Sequence, residues 1–410
     1  MKPIKLSSSY LLTIIIISLA ISPAIALGED QRNLFLIGIM SISPILFISY
    51  RKYYQSDIWL ILFMISIILS PLLNHPDSMR WSTVMYTLMF GFTFLAYKNM
   101  LHVSTFTITD YQKLLKYLIY AYAIVLLIQQ FCVLAGLPIF NVSNYHPEEP
   151  WKLNSLTSEP SHSARIMGLL MYSYITAKEL VLERKYNFHL DFKSDKWIWF
   201  SFLWTMITMG SGTAFLFITV VLLKFIRFKN LIPLFIVFAL IILVVDMMGI
   251  TAFERTYKLF MATLTLDTTA IFEADGSGSY RIIPMIILAQ MIDLTSLNGW
   301  FGHGVDYVAS ILSFYVPGLP EGWTGGGMFQ IWMDFGFLSF ALFMIFTFSN
   351  TLKKGDYLGY IFWFMLIFMQ GINNQIVWLC IVLLFTNKYF EKHVSKSKTS
   401  LKKENNARQY

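Results

Sequence analysis

Apolar segments recur along almost the entire chain, from Leu11 to Phe390, broken only by short polar connectors. Most approach the roughly 20 residues that a helix needs to cross a hydrocarbon core. Lipid offers no hydrogen-bond partners, so such a segment must satisfy its own backbone, as a helix does. Charged residues make up 13% of the 410 and hydrophobic ones 56%, whereas soluble domains carry roughly 25% charged residues. The sequence therefore predicts an all-α polytopic membrane bundle, a single transmembrane domain over residues 1–390.

About twelve spans follow, over residues 10–27, 33–50, 57–73, 81–97, 114–137, 161–182, 197–210, 213–228, 231–251, 326–350, 356–371 and 374–390. Connectors rich in Lys and Arg alternate with neutral, acidic or mixed ones, which puts both termini in the cytoplasm. The net charge of +7 gathers in those basic connectors and in the tail 391–410. Positive-inside topology explains it, with no need of nucleic acid. The tail is expected to be disordered near anionic lipid. Lys2 and Lys5 before the apolar run Leu11–Leu27 imitate a signal peptide, and Ala24-Ile25-Ala26 a cleavage site. An uncleaved first span is preferred, because another apolar segment follows at once. Cys132 and Cys380 fall inside apolar runs and read as packing residues.

Two outward loops are long, 138–160 and 251–325. Loops of that kind are functional or disordered. In the second, Arg281–Leu297 is apolar and helix-like, with Gly276–Gly278 and Gly325–Gly327 as expected hinges. The chain has no phosphate loop, no GxGxxG after a strand, and no HExxH, CxxC or DxD motif. No metal or cofactor is therefore expected. Few ionisable residues lie within the spans (Lys178, Glu179, Asp246, Asp334), where a proton-driven transporter needs more. Polar chemistry concentrates in the two loops, at the outer face.

The densest polar stretch is Trp151–Arg165, WKLNSLTSEPSHSAR. It gathers Lys152, Arg165, Glu159, His162 and several hydroxyls at the mouth of an apolar helix. Glu159-Pro160-Ser161 reads as a helix start, since proline in the first turn loses no hydrogen bond. His162 and Arg165 then share a face. The stretch reads as a cradle for an anionic, hydroxyl-rich ligand or as a polar helix cap. Arg165 stands one turn inside the helix, where charge is costly unless it is paired or bound. Arg281, in DGSGSYRIIP, offers a planar fork suited to phosphate; its alternative is an interfacial arginine snorkelling to headgroups. His303, between glycines in GWFGHGVDY, is either structural or a base near neutral pH. His162, Tyr280 and Trp323 are candidates to meet a sugar. Trp300, Phe301 and Tyr307 are placed to stack on one or to form an aromatic belt.

Three segments together resemble the Wzy-type O-antigen polymerases, within the wider group of O-antigen polymerases and ligases. LTSEPSHSAR is similar to the family's outward segment, in which a cation precedes a Glu-Pro-Ser and an apolar helix. SYRIIPMIILAQMIDLTSLNGWFGHGVDY resembles its long loop, and GGGMFQIWMDFGFLSFALF the helix that resumes the bundle. The likeness extends over nearly the full chain through short, degenerate motifs. Lys152 stands where relatives commonly carry arginine, keeping the charge and losing the fork. The ligase branch has a histidine before the helix that follows the long loop; here that stretch reads Thr324-Gly325-Gly326-Gly327.

The resemblance implies a GT-C-like glycosyltransferase of the bacterial inner membrane. It would polymerise repeat units carried on undecaprenyl diphosphate, at the periplasmic face and without metal. Arg165, Arg281 and Lys152 would hold the diphosphate, with Glu159 or His303 as the base. Partners would be the lipid-linked oligosaccharide, a chain-length regulator and a flippase. An O-antigen ligase, a flippase and a non-enzymatic scaffold are the alternatives.

Overall fold

The computed structural model describes residues 2–22, 26–27, 30–31, 33–50, 52, 54–142, 148–225, 251–316, 318–319, 321–323 and 325–407. Most of them are helical; a two-residue ribbon pairs Ala26–Leu27 with Asp30–Gln31. Helices overlap the expected spans, except that 231–251 falls outside the described residues apart from Thr251, as do 226–228 at the end of the span before it. Three helices, Asp57–Asn74, Ile108–Ala135 and Met328–Thr351, are long and apolar enough to cross a membrane. Shorter apolar helices lie over Ser8–Ala20, Leu34–Ser49, Gly212–Phe225 and Tyr357–Phe368. This predominantly helical, apolar architecture is consistent with a helical membrane protein.

Local chemistry sets the ends of these helices. Thr107 and Asp110 form a reciprocal capping box at the start of Ile108–Ala135, and Gly136 closes it in the left-handed region. The first helix stops at Ala20, short of the expected Leu27, and Ser22 N donates instead to Leu156 O at 2.8 Å. The last helix, Gln375–Ala407, runs on through the tail expected to be unstructured. Its sequence holds no glycine or proline to break it.

Exposed faces are oily. Ile108–Ala135 presents Ile124, Leu127, Ile128, Phe131 and Leu134 outward. Asp57–Asn74 presents Leu62, Ile65, Leu69, Leu72 and Leu73 in the same way. Patches of this extent are unstable in water and at home in lipid. At the centre, Pro160–Leu182 is buried without interruption from Ser163 to Ile175, and Gln375–Ala407 from Ile376 to Phe385. A helix apolar on every side belongs in an interior, and these two pack on each other. The glutamate-proline start of the first therefore opens from the middle of the bundle.

The loop 251–325 is a helical cap with a core of its own. Thr251–Thr265, Thr268–Ala274, Gly276–Gln290, Leu297–Phe301 and Tyr307–Tyr315 enclose Ile271, Ile283, Leu288, Val308, Leu312 and Val316, joined by Met333 from the bundle. The helix expected over Arg281–Leu297 starts earlier and stops at Gln290. There Asp293 accepts from Thr295 N at 2.9 Å, a local bond that competes with the helix. Gly276 and Gly278 lie in its first turn, where they act as helix rather than hinge.

Helix Met328–Thr351 breaks at Gly336, whose φ is 87°. The break frees carbonyls, and the cap supplies their partners: His303 N donates to Met333 O at 2.7 Å and Gly304 N to Asp334 O at 3.2 Å. Buried irregular backbone survives only when repartnered in this way. The strands of chain cross so closely that a Cβ on Gly336 would lie 2.1 Å from Trp300 O.

Candidate functional site: a cation pair between two cavities

The loop before Pro160 is anchored from inside. Ser155 N donates to Gln129 Oε1 at 2.8 Å, Ser155 Oγ donates to Tyr122 O at 2.7 Å, and Thr157 Oγ1 meets Ser163 Oγ at 2.8 Å. Leu153, Asn154, Ser155 and Thr157 are buried. The hydroxyls expected to cradle a ligand are thus largely spent on holding the loop, because a buried hydroxyl without a partner is costly. Ser158 and Ser161 remain at the surface of the site. Glu159 follows as the helix N-cap residue, extended at φ −140° and ψ 147°, with Pro160 in the first turn.

Arg281 reaches this point from 120 residues away: its Nη2 donates to Ser161 Oγ at 3.3 Å and stands 3.8 Å from Glu159 Oε2. Ser161 Oγ donates to the same carboxylate at 3.1 Å, and His162 Nε2 lies 3.9 Å from it. Arg165 is 5% exposed and donates from Nη1 to Gln370 Oε1 at 3.0 Å. It makes no ion pair among the described residues. Two arginines thus converge on a single carboxylate, and the cluster keeps a positive surplus in a poorly solvated place. A buried cation without a partner is costly, so the arrangement is suited to an anion. Burial works to raise the Glu159 carboxyl, but His162, the Ser161 bond, Arg281 and Arg165 outweigh it and hold the carboxyl below its usual range.

The cluster forms a wall between two cavities. The larger, about 780 Å³, is lined by Glu159, His162, Arg165 and Arg281, with Tyr280 and Trp323. The smaller, about 420 Å³, shares Glu159, Arg165, Arg281, Met369 and Gln370 and adds apolar Leu216, Phe217, Leu259, Ile282 and Met365. Lys152 lines the smaller one while its Nζ pairs with Glu149 Oε2 at 2.7 Å.

The structure does not bring His303 to this site. It lines neither cavity; its ring stacks on Tyr307 with centroids 4.4 Å apart and meets Met333 O. Burial, opposed by the Met333 carbonyl and aided by His75, pushes its imidazole below the usual range, toward the neutral form. Trp300 likewise turns away, donating from Nε1 to Leu294 O at 2.9 Å and packing on Phe337.

Sequence reasoning missed the amide lining of the larger cavity. The connector between the expected spans 356–371 and 374–390 sits in a run of carboxamides, Gln370, Asn373, Asn374 and Gln375, that lines it. Asn33, Ser82, Thr83 and Gln330 complete it. A π-helical turn, Phe364–Phe368, delivers this run. Gly327, at φ 58°, packs so tightly against it that a Cβ would lie 2.3 Å from Phe368 O. The glycines expected as a hinge are therefore a close-packing device here. The signal available in sequence was the density of amides between two apolar helices.

Comparisons with protein-family models, with curated proteins and with solved structures give no match to this chain.

Proposed function

We propose that this chain is a membrane glycosyltransferase of the polymerase kind. It joins oligosaccharide units carried on undecaprenyl diphosphate into O-antigen or a related surface polysaccharide, at the periplasmic face of a bacterial inner membrane. The observation that carries the reading is the surplus of cations, Arg165 and Arg281 around Glu159, at the boundary of a polar cavity and one of mixed lining that adds Leu216, Phe217, Leu259, Ile282 and Met365. A polyprenyl-diphosphate glycan has its parts in the matching order: an apolar tail, an anionic link and a hydroxyl-rich head. Twelve crossings in a GT-C-like bundle, with both termini inside, would turn the site outward, as the charge pattern of the connectors requires.

In this reading a hydroxyl oxygen of one lipid-linked unit bonds to the anomeric carbon of the chain on another. The bond from that carbon to the diphosphate oxygen breaks, and its electron pair leaves on the diphosphate. Arg165 and Arg281 stabilise the charge as it develops. The hydroxyl proton passes to Glu159. A carboxylate kept ionised by its neighbours is a weak base, so the transfer comes late, when the attacking oxygen has become acidic. The products are a lengthened chain on the acceptor lipid and free undecaprenyl diphosphate.

Ligase chemistry gains no support, since the histidine it would use is missing before Met328 and His303 lines neither cavity. The test is purified protein in nanodiscs with an undecaprenyl-diphosphate oligosaccharide as sole substrate. Products spaced by whole repeat units are expected; transfer that requires a lipid A-core acceptor would overturn the polymerase reading.

A further inference from the structure

We infer that the larger cavity is a subsite for an uncharged glycan, read by the carboxamides of Gln330, Gln370 and Asn373. The inference rests on the function just proposed and names the class of sugar within it.

Among the described residues lining this cavity, the ionisable ones other than tyrosine are Glu159, His162, Arg165 and Arg281, close together in the cluster around the Pro160 helix start. Among the described residues, Asn33, Ser82, Thr83, Gln330, Gln370, Asn373 and Gln375 supply neutral polar groups to the same cavity. Its amides are held by neighbours. Asn373 Oδ1 accepts from Thr87 Oγ1 at 2.5 Å, Gln330 Nε2 donates to the buried Asp334 at 3.3 Å, and Gln370 Oε1 accepts from both Arg165 and Asn374. Asn33 Nδ2 donates to Gln375 Oε1 at 3.2 Å, and Gln375 Nε2 in turn donates to Ser22 Oγ. One end of each amide is thereby engaged. Asn373 Nδ2 and Gln370 Nε2 remain as donors and Gln330 Oε1 as an acceptor, with no hydrogen-bond partner among the described residues.

Fixed neutral donors and acceptors suit hydroxyl and acetamido groups. A sugar carboxylate held by these amides alone would lose its hydration without gaining an ion pair. Tyr86 and Trp323, on the same cavity, offer faces for sugar rings. Gln370 lines both cavities and orients Arg165. It therefore stands where the sugar ends and the diphosphate begins.

The experiment uses the full chain in nanodiscs and two arms. In the first, a panel of neutral oligosaccharides of hexose, deoxyhexose and N-acetylhexosamine is titrated beside uronate-containing counterparts. In the second, farnesyl diphosphate is titrated. Neutral glycans should bind at least tenfold more tightly than their uronate counterparts. Asn373→Ala and Gln330→Ala should each weaken them about tenfold, the effect of one lost hydrogen bond, and leave farnesyl diphosphate unaffected. Should Asn373→Ala fail to fold, Asn373→Asp keeps the acceptor for Thr87 and removes the donor. Preference for uronates, binding indifferent to both substitutions, or no binding across the panel would each overturn the inference. Farnesyl diphosphate that fails to bind, or binds regardless of Arg165→Gln and Arg281→Gln, would instead overturn the functional reading beneath it.

Discussion

Truncating Arg281 to alanine should stop chain elongation and leave the protein folded. The two effects separate because the residue's structural and chemical contributions differ in size. Its side chain is 36% exposed and its contacts are a 3.3 Å bond to Ser161 and a 3.8 Å approach to Glu159. An ion pair so solvated is worth about 0–1 kcal/mol to folding, which moves an unfolding midpoint by a few degrees at most. Against a diphosphate the same guanidinium works differently. At about 4 Å and an effective dielectric near 20, one unit charge is stabilised by roughly 4 kcal/mol, a rate factor of about a thousand. Partial exposure and the retained Arg165 bring the expected loss to about a hundredfold, near the lower end for removal of one transition-state donor. The assay is the initial rate of repeat addition in nanodiscs, with thermal unfolding followed in parallel. Arg281→Lys should recover part of the rate, since it restores charge without the fork. A folded Arg281→Ala protein making polymer at the normal rate would refute the reasoning.

Other outcomes follow from the same geometry. Glu159 is held below its ordinary 4.5 by its cationic neighbours, so it is ionised at neutral pH and its contribution is lost as pH falls through that lowered value; Glu159→Gln should slow turnover about a hundredfold or more and erase that acid limb from the pH–rate profile. His303→Ala should leave the product ladder intact, and loss of elongation would return His303 to the list of bases. Gly336→Ala places a Cβ 2.1 Å from Trp300 O at a φ of 87°; it should cost about 3 kcal/mol or more, read as a lowered unfolding midpoint in detergent. Far from the site, Lys98 Nζ and Asp57 Oδ1 form a buried pair 2.5 Å apart. Lys98→Met should destabilise by about 3–5 kcal/mol by stranding the carboxylate, and Lys98→Met with Asp57→Leu should recover most of it.

The sequence alone determined that the chain is built of apolar helices consistent with a membrane protein, because apolar length and missing charge act locally and additively. It also located the helix start at Pro160, since proline and an N-terminal glutamate fix a boundary within one turn. It marked Glu159, Arg165 and Arg281 individually, because charge beside apolar helix is conspicuous anywhere. Only the tertiary structure decided that those three meet, for a 120-residue separation carries no local signal. The same is true of His303, whose Gly-His-Gly setting looks catalytic in one dimension and serves to cover the broken helix at Gly336 in three. Residues such as Asn373 and Gln370 were invisible for a related reason. An uncharged amide in a short connector becomes a binding group only when neighbours occupy one end of it and leave the other facing a cavity.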